Sequence, residues 1–67
     1  MVIVWDIHIG LLPNQTLFKN VTFFRVDSLG VLRFVDPIEN KGVNVGPGMP
    51  WMTIQHELSN AERSLDQ

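Results

Sequence analysis

An α+β fold is what the sequence predicts, a small antiparallel sheet of three to four strands with a C-terminal helix, and three observations predict it. Val21–Asp36 reads as a complete β-hairpin, with β-branched and aromatic runs on either side of Ser28-Leu29-Gly30. Met1–Ile9 alternates apolar residues with period two. Trp51, Ile54, Leu58, Ala61 and Leu65 recur at spacings of three and four, which places them on one helical stripe.

The first strand spans about 2–9. Ile3, Trp5, Ile7 and Ile9 share one face and Val2, Val4, Asp6 and His8 the other, and the apolar face is assigned to the core. No positive charge precedes this run and Asp6 interrupts it, so it does not read as a signal peptide, and no apolar run is long enough to span a bilayer. Gly10 and Pro13 end the strand, with Asn14 as a turn residue. Leu17–Asn20 reads as the lead-in to the hairpin.

The hairpin strands are expected at about 20–27 and 31–36. Asp27 suits the first position of a type I turn, since its carboxylate reaches backbone donors two residues on, and Gly30 suits the left-handed position that follows. That loop sets Val26 opposite Leu32, Arg25 opposite Arg33 and Phe24 opposite Phe34. Thr22, Phe24, Val26, Leu32 and Phe34 then face the core. Phe23, Arg25, Arg33 and Val35 face outward, and two guanidinium groups meet there at a cost in stability.

Pro37 stops the sheet, and Asn40-Lys41-Gly42 is turn chemistry. Val43–Val45 is a candidate fourth, edge strand. Gly46-Pro47-Gly48-Met49-Pro50 cannot enter a central strand, because its prolines lack the amide donor. The helix is then expected at about 51–66, with Pro50 at its first position. An alternative keeps 51–58 as the last strand of a small all-β barrel and starts a short helix at the capping pattern Ser59…Glu62.

Composition bounds the functional classes. The 67 residues make a single small domain, 45% hydrophobic and 18% charged, which is globular composition in a chain short enough to bury only a modest fraction of its surface. There is no cysteine, which excludes disulfides, thiolate metal sites and thiol chemistry. It also suits a cytoplasmic location. A net charge of −2 counts against a general nucleic-acid surface.

No phosphate loop, serine elbow or zinc-helix motif is present, and Asp6, His8 and His56 lack the spacing of a multi-ligand set, so no catalytic residue, metal or cofactor is assigned. The chain is expected to be a non-catalytic protein–protein interaction module or assembly subunit that self-associates or docks on a larger protein, with no membrane role. Arg25, Arg33, Phe23, Met49, Trp51, Leu58 and Leu65 are its candidate contact residues. The other reading is a single-stranded nucleic-acid module in which Phe23 stacks on a base while Arg25 and Arg33 grip phosphate, unless Asp27 and Asp36 neutralise them.

Overall fold

The computed structural model describes residues 2–58. They form six strands, β1 (Ile3–Ile9), β2 (Thr16–Val21), β3 (Phe24–Val26), β4 (Leu32–Asp36), β5 (Lys41–Val45) and β6 (Trp51–Glu57). These make two antiparallel three-stranded sheets, in the orders β2-β1-β6 and β3-β4-β5. The architecture is therefore all-β, and the expected α+β fold with one sheet and a packed helix is corrected. The barrel alternative is corrected as well, because the two sheets do not close on one another.

The expected helix over 51–66 fails because Trp51–Glu57 pairs residue for residue with β1, from Ile9↔Trp51 to Ile3↔Glu57, and the remainder of that span lies outside the described residues. Both periods fit this stretch, and the decision comes from a partner about fifty residues away in sequence. The strand also has the opposite phase to the one its Met52, Ile54 and Leu58 alternation suggests. Trp51 turns toward the core, while Ile54 and His56 lie on the other face.

The β3–β4 hairpin has the expected register, with Phe24↔Phe34, Arg25↔Arg33 and Val26↔Leu32. Its turn is built as the residues dictate. Asp27 Oδ1 accepts from the amides of Leu29 (2.9 Å) and Val31 (3.0 Å), and the Gly30 amide donates to the Asp27 carbonyl (3.0 Å). Gly30 sits at φ +84°, where a Cβ would also lie 3.2 Å from that of Pro47, so its lack of a side chain serves both conformation and packing.

The expected single strand over 20–27 is broken at Thr22-Phe23, and the expected lead-in is itself strand β2. The break follows from a bulge. The β1–β2 register shifts between Trp5↔Val21 and Ile7↔Phe18, and Asn20 in the intervening stretch adopts φ +61°. The chain then leaves the first sheet and enters the second. Val43–Val45 is the end of a longer edge strand, β5, which pairs with β4 over Lys41–Val45.

The core lies between the sheets. Ile7, Val21, Leu32, Phe34 and Val45 are buried together, with Trp5, Ile9, Phe18, Phe24, Val43 and Trp51 packed around them. Trp5 and Phe24 meet edge to face at 5.4 Å, as do Phe18 and Phe34 at 5.0 Å. Val26, expected inside, is instead about half exposed at the tip of a three-residue strand. Val4 is buried outside this cluster, beside a cleft that Leu58, Lys19 and Ile38 also line.

Candidate interaction surface

Three places outside the core gather side chains with chemistry or unspent apolar area. The first is the outer face of β3-β4-β5. Arg33 is claimed within the chain, since its Nε (3.2 Å) and Nη2 (3.1 Å) both donate to Asp27 Oδ2 and its Nη1 donates to Asn44 Oδ1 at 3.3 Å. The Val31 amide, ahead of the Leu29 amide and the Arg33 guanidinium, holds the Asp27 carboxyl below its ordinary value against a smaller opposing desolvation. Asp36, the other expected partner, is spent on its own turn, accepting from the Ile38 amide at 2.9 Å. Arg25 faces Arg33 across the hairpin and is exposed, with no ion pair among the described residues. Phe23 stands exposed beside it.

The second place is the junction at Asp6. Its Oδ1 accepts from the amide of Asn20 (3.1 Å) and lies 3.0 Å from His56 Nε2, so one carboxylate ties the β2 bulge and β6 to β1. Desolvation pushes this carboxyl up, but the Asn20 amide, the His56 ring and the charge of Lys19 together outweigh it and leave it below its ordinary value. His8, two residues along the same strand, does not join the pair, and its Nδ1 is buried without a hydrogen-bond partner among the described residues. No group of three metal-ligating side chains occurs among the described residues. The observed partners of Asp6 are parts of its own sheet, an arrangement that joins strands.

The third place is one end of the sandwich, of which sequence reasoning named only Met49. The pairs Ile9↔Trp51 and Leu32↔Val45 and the bond from the Gly10 amide to the Pro50 carbonyl (2.8 Å) bring three loops to the same end. Segments 10–15, 28–31 and 46–51 carry no ionisable side chain. Leu11 (71%), Leu12 (81%) and Leu29 (77%) stand out in solvent there, with Met49 half exposed. An open groove of about 300 Å³ leads in beneath Met49, between Ile9 and Phe18 on one sheet and Val43 and Val45 on the other. The available signal was Gly10-Leu11-Leu12-Pro13, apolar residues in a turn where polar ones are usual.

The candidate contact residues therefore divide. Phe23, Arg25 and Arg33 share the outer face of one sheet, and Met49 belongs to the apolar loop end. Trp51 is partly buried and approaches Phe24 at 6.5 Å, so it serves the core, and Leu58 is partly buried near Val4. Leu65 lies outside the described residues. Among the described residues, no helix is long and apolar enough to cross a membrane. No family model, characterised protein or solved structure matches this chain.

Proposed function

We propose that this chain is a small, non-catalytic protein–protein interaction module or assembly subunit, acting in the cytoplasm, whose apolar loop end docks in an apolar recess of a larger protein. The observation that supports this most directly is the exposure of Leu11 and Leu12 on one loop and of Leu29 on another at the same end of the sandwich. Isolated exposed leucines are ordinary, but three of them on two loops at one end make an apolar patch that water solvates poorly and an apolar partner covers well.

Replacing Leu11, Leu12 and Leu29 together by Ser removes the patch without touching the core. Each change on an exposed loop is expected to move stability by no more than about 0.5 kcal/mol, while retention of a partner from cell lysate, read as added mass in sedimentation, is lost. If the unsubstituted chain sediments as a monomer and carries nothing out of lysate, the interaction reading is wrong.

A second reading is favoured by one observation, the exposed Arg25 beside the exposed Phe23. These are the elements of a single-stranded nucleic-acid surface, in which an aromatic ring stacks while a guanidinium meets phosphate. Against it stand the net charge of −2 and the engagement of Arg33 by Asp27. The expected result is no salt-sensitive binding of a single-stranded oligonucleotide at physiological salt. Tight binding that is lost on replacing Arg25 and Arg33 by Gln would transfer the proposal to nucleic acid.

A further inference from the structure

Strand β6 sits at the edge of its sheet, paired with β1 on one side and with no other strand among those described. The backbone shows which of its residues look outward. Antiparallel strands alternate between residues that exchange hydrogen bonds with the partner and residues that turn their N–H and C=O away. The Gly10 amide bonds to the Pro50 carbonyl (2.8 Å) and the Leu58 amide to the Val2 carbonyl (2.9 Å), both in the register that pairs β1 with β6. The even-numbered residues of β6 therefore bond to β1. Trp51, Thr53, Gln55 and Glu57 direct their amides and carbonyls to the open side.

The other edges of the two sheets carry features that discourage pairing. β2 is bent by the bulge at Asn20 and bears Lys19, β3 has three residues, and β5 carries Lys41 and Gly42. β6 has none of these. It runs seven residues without Pro, Gly, Lys or Arg, and its register with β1 does not shift. An edge of that kind is a template for another strand.

We propose that the strand it receives is β6 of a second copy, placed antiparallel about a two-fold axis through Ile54. This rests on the interaction-module reading above and names one of its partners. Centring on Ile54 uses all the outward positions at once, setting Thr53 opposite the Gln55 of the copy and Trp51 opposite its Glu57. Both are pairs of outward-directed residues and can exchange both bonds, for about eight across the seam. The contact at Glu57 is the weaker, because its carbonyl already lies 3.4 Å from His56 Nδ1.

The side chains agree with this register. Ile54 meets its own copy in a non-hydrogen-bonded pair, where side chains approach closest, and Met52 falls beside His56 of the copy. Met52 (50% exposed) and Ile54 (47% exposed) are the apolar residues the outer face of β6 otherwise leaves in water. Glu57, the strand's one carboxylate, faces Trp51 rather than another Glu57. A six-stranded sheet running across two copies results, with the same surface used by each.

Three variants of the full chain test this. The unsubstituted protein is expected to sediment as a dimer at high micromolar concentration. Ile54→Lys places two ammonium groups against each other on the axis at a half-exposed position, and Thr53→Pro removes an amide that points away from β1. Each is expected to weaken the dimer by at least about tenfold, with Ile54→Lys keeping the β-sheet circular dichroism of the parent. Since the chain has no cysteine, Ile54→Cys supplies a single thiol, and oxidised glutathione should link it to its copy several-fold faster than it links Ile38→Cys in an exposed loop. A parent that is monomeric at high micromolar concentration, a dimer that survives Ile54→Lys, or equal cross-linking of the two cysteine variants would overturn the proposal. A monomer that still retains a lysate partner through its loop leucines would overturn only this self-pairing and leave the module reading standing.

Discussion

Phe34→Ala is expected to cost about 3–5 kcal/mol of folding stability, the largest loss any single truncation here should cause. Phe34 is 5% exposed at the centre of β4, between β3 and β5, and its ring meets that of Phe18 edge to face at 5.0 Å. It therefore spans both sheets, since Phe18 belongs to β2. Removing the ring withdraws its transfer free energy and leaves a void lined by Ile7, Val21, Leu32 and Val45, residues on four strands that cannot all move inward together. At about 0.05–0.15 kcal/mol per residue, a chain of this length has about 3–10 kcal/mol in all, so the variant should be largely unfolded or close to it. Urea denaturation is the check. A midpoint equal to the parent's would mean that the two sheets do not share this core.

The hairpin that carries Phe34 was legible because its determinants are local. Asp27 and Gly30 fix the turn, the turn fixes the register, and the register fixes which of Phe23 and Phe24 goes inward. The Arg33–Asp27 pair was legible on the same ground, six residues apart on one hairpin. The strand β6 was legible only as the alternative over 51–58, since Trp51, Ile54 and Leu58 satisfy a helix as well as a strand until β1 lies beside them. The break at Thr22-Phe23 was hidden too, because the run from Val21 to Asp27 favours strand throughout. What interrupts it is the left-handed Asn20 and the carboxylate of a residue in another strand. Val21 and Val45 enter the core only because each ends a strand facing the opposite sheet, a placement no local pattern declares. Asp6 and His56 are brought together by the same long-range pairing that the helix reading denied.

Asp6 gives the second large effect, and one that depends on pH. Its carboxylate accepts from the Asn20 amide and contacts the His56 ring, linking β1 to both neighbours in its sheet. Asp6→Ala withdraws that acceptor from the bulge and from His56 and is expected to cost about 1–3 kcal/mol. Asp6→Asn keeps an acceptor oxygen for the Asn20 amide and should cost less than Asp6→Ala. The sign of the pH effect follows from the direction of the shift. The folded state holds this carboxyl below its ordinary value, so the unfolded chain takes up the proton first as acid is added. The stability contributed by the charged form is thus fully present above about pH 4, where an unfolded aspartate is ionised, and is lost as pH falls from there through the folded value. Asp27 is shifted in the same direction and supplies its own acid dependence, but that contribution is common to the parent and to Asp6→Asn. The difference between their urea midpoints should therefore shrink as pH drops below about 4. Parallel curves through the whole acid range would show that the Asp6 charge does not hold the three strands together, and would leave the bulge at Asn20 to backbone geometry alone.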